Sequence, residues 1–263
     1  MEAIILAAGY GTRLRPLTDH VPKALVEVDG VPVLERVARR LVDAGAHRLV
    51  INTHHLGEQI EAFVRARDGF GVDVRFSRET GEAPLETGGG VQQAARLMEL
   101  REPFLVHNVD VVSDLDIRDL HDTHHPAALA TLAVGPPETR SPLLLDDRGV
   151  VGVRYPSGGE SLAREPVGGI RAAAFCGVSV VSHTLPSLMR ETGAFSVIPV
   201  YLRLIAAGAL VAAWDIGASY WSDIGTHERL KETSRVLAEA RAAAGEGRRA
   251  RSAPAEDRQG QGE

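Results

Sequence analysis

The first half of the chain alternates two kinds of apolar pattern. Ala3–Ala8 is a short, almost unbroken apolar run, as expected of a strand buried on both faces. From Pro32 to Ala44, the residues Val33, Leu34, Val37 and Leu41 fall on one helical face, with Gly45 as the stop. The alternation then repeats. A strand is expected over Arg48–Asn52, a helix over Leu56–Arg67, and an alternating strand over Val72–Phe76. Thr87 reads as the N-cap of a helix running to about Leu100, and Phe104–Val109 as a fourth buried strand ending in Asp110. Such βα repetition predicts an α/β fold with a parallel, doubly wound sheet.

The second half is richer in strands. Ala127–Val134 reads as a strand, and Leu143–Leu145 and Val150–Val153 flank Asp146-Asp147-Arg148-Gly149 as a hairpin. Ala172–Val181 is a further strand. Ser196 caps a helix to Ala207, Leu210–Trp214 is the last strand, and a helix is expected over about Thr226–Ala243. Pro156–Gly169, rich in Gly, Ser and Pro, reads as a loop. The domain organisation expected is one domain over residues 1–243, with a first half over 1–125 and a second over 126–243. Residues 244–263 lack apolar periodicity and read as a disordered tail.

Bulk properties exclude some classes. With 44% apolar and 24% charged residues the chain should form an ordinary soluble globule. A net charge of -6 argues against a nucleic-acid partner, which calls for a basic face. Cys176 is alone, so no intramolecular disulfide or zinc-ligand spacing exists. The start Met1-Glu2-Ala3 lacks the basic segment and cleavage site of a secretory signal. The longest apolar stretch, near Ala172–Val181, is too short for a membrane span. A cytoplasmic protein without membrane partners is expected.

The densest chemistry follows the first strand: Leu6-Ala7-Ala8-Gly9-Tyr10-Gly11-Thr12-Arg13, continuing to Pro22-Lys23. Glycines let backbone N–H groups face an anion. Arg13 brings a planar fork for phosphate oxygens and Lys23 a mobile charge. A loop at the carboxyl end of a parallel strand is where α/β sheets bind nucleotides. A dinucleotide fingerprint would need glycine at Leu14, and a P-loop would need Gly-Lys, which occurs nowhere.

This string resembles the signature of the nucleotide-sugar pyrophosphorylases, the sugar-1-phosphate nucleotidyltransferases. The resemblance runs from Met1 to about Arg235. Val50-Ile51-Asn52, Pro84-Leu85-Glu86-Thr87-Gly88-Gly89-Gly90 and Trp221-Ser222-Asp223-Ile224-Gly225-Thr226 extend it. It implies a Rossmann-like, glycosyltransferase-A-like sheet with a small β-rich sugar-binding portion. It also implies transfer of a nucleotidyl group, UTP being the favoured donor, to a sugar 1-phosphate, with Mg2+ as cofactor. Those two substrates are the partners implied, with the chain a monomer or homo-oligomer.

The roles implied are specific. Leu6, Ala7, Ala8, Gly9, Gly11, Thr12, Arg13 and Lys23 would hold the triphosphate, with Gly81, Glu86, Thr87 and Gly88 at the base. Arg13, Lys23 and Asp110 would be catalytic, and Asp110 and Asp223 the metal pair. Asn108, Glu165, Gly177 and Asp223 would meet the sugar phosphate. By itself Asp110 reads equally as a turn or capping aspartate, and Gly177 as an ordinary strand bulge. A glycine-rich helix start competes with ligand contact at Gly89 and Gly90. Two departures from the family pattern stand out. Val109 replaces a glycine and would crowd the approaching sugar, and Glu165-Pro166 lacks the lysine of a sugar-contacting motif.

Other features read blandly. His121, His124 and His125 have helical spacing but no carboxylate or cysteine at motif distance, so a solvated helix end is expected. His54 and His55 follow a strand and read as exposed loop, and Cys176 as a small buried apolar residue. No Gly-x-Ser-x-Gly elbow occurs. Alternative readings are a guanylyltransferase for mannose or heptose 1-phosphate, a transferase for a phosphorylated alcohol such as phosphocholine, or a catalytically silent nucleotide-sugar sensor. A silent relative would be expected to have lost an acid or the lysine.

Overall fold

The computed structural model describes residues 1–138 and 141–252, and side chains as far as residue 243. Strand β1 (Glu2–Leu6) is followed by the glycine loop and a two-residue hairpin, β2 (Glu27–Val28) and β3 (Val31–Pro32), turning at Asp29-Gly30. Then come α1 (Val33–Asp43), β4 (Arg48–Thr53), α2 (Gly57–Arg65), β5 (Asp73–Arg78), α3 (Glu86–Ala94), β6 (Phe104–Asn108), β7 (Val111–Ser113) and α4 (Ile117–Asp122). The second half holds β8 (Ala128–Gly135), β9 (Leu143–Asp146), β10 (Gly149–Arg154), β11 (Glu160–Leu162) and β12 (Arg171–Val181). It closes with α5 (Leu185–Leu188), α6 (Val197–Ala206), β13 (Leu210–Asp215), β14 (Trp221–Asp223) and α7 (His227–Ser252).

The central strand is β1, parallel to both β4 and β6, with β5 parallel to β4 outside it. Its side chains alternate between two cores. Ala3 and Ile5 join the helices α1 and α2 on one face, and Ile4 joins α3 and α6 on the other. Burial on both faces explains why the strand reads as a continuous apolar run. Beyond β6 the sheet turns mixed. β12 runs antiparallel to β6, β8 antiparallel to β12, and β13 parallel to β8. The first residues of β12, Arg171–Ala173, instead pair with β9, which carries the antiparallel β10 and β11. The fold is α/β and Rossmann-like, with the β-rich extension on one side.

Gly177 sits where β12 changes partners. The pairing with β8 breaks register between Phe175 and Ser179, and Gly177 has φ +75°. Both marks are those of a bulge, a position that suits glycine.

Local expectations were corrected in three places. Thr87 does not cap α3: the helix runs from Glu86 with Leu85 in the N-cap position, and Glu86 itself holds φ +59°. Thr87 Oγ1 instead accepts the Val197 N–H at 3.0 Å. The segment 156–169 contains β11, and its return is pinned. The Asp146 carboxylate accepts from Arg164 at 2.5 and 2.7 Å and from the Val167 N–H at 2.7 Å. Finally, α7 continues through Ser252, so the tail expected from 244 is helical that far, and 253–263 lie outside the described residues.

Candidate active site

The carboxyl ends of the parallel strands open on a cavity of about 200 Å³. Leu6, Ala8 and Gly9 line it from β1 and its loop, Asn52 from β4, and Asn108, Val109 and Asp110 from β6 and the turn after it. Pro84, Glu86 and Thr87 close the far side, and Lys23 reaches in from the end of the glycine loop. This is where a doubly wound sheet binds its ligand. A side chain at Gly9 would meet nothing within 4 Å, so the backbone there lies open to the cavity. Gly11 is different. Its φ is +66°, and a Cβ would lie 2.9 Å from Thr18 Cγ2 and 3.1 Å from Lys23 Cβ. Glycine lets the loop fold tightly enough to deliver Lys23.

Lys23 Nζ forms a short ion pair with Asp110 Oδ2. Asp223 arrives from β14, which pairs with β7 so that Asp223 lies opposite Val111. The Ile224 N–H also donates to the Asp110 carbonyl at 2.9 Å. Two aspartates far apart in sequence are therefore neighbours along the backbone. Asp223 Oδ1 accepts the Gly225 N–H at 2.8 Å, and Oδ2 pairs with Arg229. A Cβ on Gly225 would stand 2.5 Å from Arg13 Nη2 and 2.6 Å from Asp223 Oδ1. Arg13, on the short turn Thr12–Leu14, thus lies over the same glycine as Asp223. Five charged groups, three cations and two acids, gather here: Lys23 and Asp110 line the cavity, and Arg13, Asp223 and Arg229 stand beside it.

The remaining predicted residues divide. The Ala7 N–H is taken by Asn52 Oδ1 at 2.6 Å. Gly81 does not line the cavity; its carbonyl accepts from His54 Nε2 at 2.8 Å, and Tyr10 Oη donates to the neighbouring Glu82 carbonyl. His54 is therefore a strut under this loop and not a free exposed ring. Gly88 is not brought to the cavity. Its N–H donates to Phe195 O at 2.8 Å, and a Cβ would sit 2.5 Å from the Phe195 ring. Packing accounts for Gly89 and Gly90 too, against Gly193 O and Asn52 Nδ2. Gly177 stands behind Asn108, its Cβ position 2.8 Å from Asn108 Nδ2. Glu165 is exposed and lines no part of this cavity.

Val109 does not crowd the site with its side chain, which is 4% exposed and belongs to the core with Leu105 and Val111. Beneath the site, His107 is fully enclosed and its Nδ1 bonds the Asn108 carbonyl at 2.8 Å. Burial pushes its imidazole down to about 4, so the strand under Asp110 carries a neutral ring. Among the described residues no three His, Cys, Asp or Glu side chains could together hold a metal ion, the histidines 121–125 included. Pattern reading took Glu79 only as the start of a base-framing loop, Glu79–Gly90, and missed Arg229, the hydrogen bonds of Glu79 to Asn52 and Leu85, and the placement of Asn52 in the cavity. For Asn52 a signal existed, since it ends the strand beside β1, at the edge where ligands bind.

Fold and site together define an enzyme of the α/β nucleotide-binding class, with its charged groups at the strand ends. The nucleotidyl transferase family model matches residues 2–143. N-acetylmuramate alpha-1-phosphate uridylyltransferase of Neisseria meningitidis is 36% identical over 81% of this chain and 100% of its own. A mannose-1-phosphate guanyltransferase of Gibberella zeae is 40% identical over 47% of this chain and 35% of its own. The crystal structure of a putative glucose-1-phosphate thymidylyltransferase from Bacillus anthracis superposes with a TM-score of 0.74 at 19% identity, covering 90% and 94% of the two chains. The chain belongs to the nucleotidyl transferase family, the one its glycine loop resembles. No helix among the described residues is long and apolar enough to cross a membrane.

Proposed function

We propose that the protein transfers a nucleotidyl group from a nucleoside triphosphate to a sugar 1-phosphate, releasing pyrophosphate, with UTP and N-acetylmuramate 1-phosphate the favoured pair. The observation that carries this reading is the convergence of Arg13, Lys23, Asp110 and Asp223 beside a cavity built on the glycine loop. The resemblance to the Neisseria uridylyltransferase over its whole length supports the choice of pair.

The reaction joins two polyanions. A phosphate oxygen of the acceptor attacks the α-phosphorus in line, the bond from that phosphorus to the bridging oxygen breaks, and pyrophosphate leaves. The attacking oxygen is already anionic, so no strong base is required. Positioning and charge stabilisation carry the rate. Open backbone at Gly9 receives the phosphates, Lys23 swings from Asp110 to bridge the two substrates, and Arg13 holds the departing pyrophosphate. Asp110 and Asp223 offer oxygen ligands suited to Mg2+, a hard cation usually completed by substrate phosphates when only one or two carboxylates hold it. Bound there, the ion would neutralise charge on the α-phosphate. In this reading residues 1–125 supply the nucleotide half, residues 126–243 the sugar half, and the enzyme is cytoplasmic.

Pyrophosphate release with Mg2+ tests this, offering each nucleoside triphosphate against N-acetylmuramate, glucose, N-acetylglucosamine and mannose 1-phosphates. Release is expected with UTP and N-acetylmuramate 1-phosphate. GTP with mannose 1-phosphate is the second reading, favoured by the local match to the guanyltransferase. Silence across the panel from folded, nucleotide-binding protein would favour a sensor, although both acids and the lysine are retained.

A further inference from the structure

Two buried polar side chains that the proposed chemistry leaves idle join the loops framing the cavity. Asn52 ends β4 and is 2% exposed, and Glu79 follows β5 and is 6% exposed. Asn52 Oδ1 accepts the Ala7 N–H at 2.6 Å, and its Nδ2 donates to Glu79 Oε1 at 2.6 Å. Glu79 Oε2 accepts the Leu85 N–H at 2.7 Å, while the Glu79 N–H donates to Thr53 O at 2.8 Å. A relay of three bonds therefore runs from the glycine loop, through two strand ends, to the residue before Glu86 and Thr87. Gly90 makes room for it, since a Cβ there would lie 2.6 Å from Asn52 Nδ2.

The relay has a fixed direction. Both partners of the Glu79 carboxylate are N–H donors, so each oxygen must accept. A buried carboxylate met by neutral donors is costly to keep, and an apolar core would hold the strands together without it. What it does supply is a rigid separation between the two walls of the cavity.

We propose that Glu79, acting through Asn52, is a positioning residue that sets the gap between the glycine loop and Pro84–Thr87, and thereby nucleotide affinity. This rests on the reading of the cavity as the nucleotide site. Glu79→Gln puts an amide N–H against one of two donors. Asn52→Asp sets two carboxylates face to face. The double swap Asn52→Asp, Glu79→Gln satisfies every group again. The new amide at 79 donates to the new carboxylate at 52, the Ala7 N–H still finds a carboxylate oxygen, and the Leu85 N–H meets the amide oxygen.

The test titrates UTP with Mg2+ into the full chain by calorimetry, and splits KM from kcat for pyrophosphate release. Each single swap is expected to weaken UTP binding and raise its KM by at least about tenfold, with kcat changing much less. The double swap should recover at least about threefold of the loss made by the worse single swap, since it restores every hydrogen bond although it moves the carboxylate to the cavity wall. Lowered melting temperatures with unchanged Kd and KM would show a merely structural relay and overturn the proposal, as would a double swap no better than the worse single. Should the single swaps fail to fold, Glu79→Asp keeps the charge and shortens the reach by one carbon. Weakened UTP binding there supports the proposal and a wild-type Kd overturns it. Wild-type protein that binds no nucleoside triphosphate would overturn the cavity reading itself, and the inference with it. Unchanged variants of a nucleotide-binding chain overturn the inference alone.

Discussion

Lys23 and Asp110 neutralise each other across the mouth of the cavity, as Arg229 and Asp223 do beside it. Lys23→Ala is expected to lower kcat/KM for pyrophosphate release at least about a hundredfold, the scale of one lost electrostatic contact. Activity within a few-fold of wild type would show that Lys23 bridges nothing. Val109 makes an opposite prediction. Because its side chain lies in the core, Val109→Gly should leave KM for the acceptor unchanged and cost about 2–3 kcal/mol of stability in urea unfolding. His107 gives a prediction in pH. Its folded pKa, near 4, lies below the ordinary 6.5, so its contribution is complete above 6.5 and is lost as pH falls toward 4. Wild-type unfolding free energy should fall more steeply with acid than that of His107→Gln, and parallel curves would contradict this. At this scale the charged residues were legible because anion chemistry restricts residue type. Asn52 and Glu79 stand 27 residues apart and acquire their meaning only when β4 and β5 pair.

The long parallel strands and amphipathic helices could be read from periodicity, because burial on one or both faces writes itself into the pattern. Short elements could not. β7 and β14 are three residues each and exist by pairing with one another, yet they bring the two aspartates side by side. The run Thr87–Gly90 looked like a capped helix or a ligand loop. The structure makes it the buried start of helix α3, with Phe195 and Asn52 standing where side chains at Gly88 and Gly90 would be. Gly177 was legible as a bulge, and its partner Asn108 was not. Gly177→Ala adds a Cβ at φ +75° against Asn108 Nδ2 and should cost at least about 1–2 kcal/mol of stability. A melting temperature equal to wild type would mean that β12 can straighten there.

At the scale of the molecule, two sheets build the site. The parallel half of the main sheet brings the ends of β1, β4 and β6 to the cavity, and the separate two-stranded sheet of β7 and β14 sets Asp223 beside Asp110. That pairing explains why the order of motifs in the sequence hides their proximity. The family was legible from the glycine loop, since a string of that length after a buried strand is restrictive. The acceptor was not, because the predicted sugar residues Glu165 and Gly177 lie off the cavity or behind it.

The central claim is that nucleotidyl transfer occurs at the acids gathered here. Its most direct test compares wild type with Asp110→Asn in Mg2+-dependent pyrophosphate release at saturating UTP and N-acetylmuramate 1-phosphate, with folding checked by circular dichroism. The account predicts a loss in kcat of at least about a hundredfold. Turnover near the wild-type rate would contradict it and remove Asp110 from the chemistry.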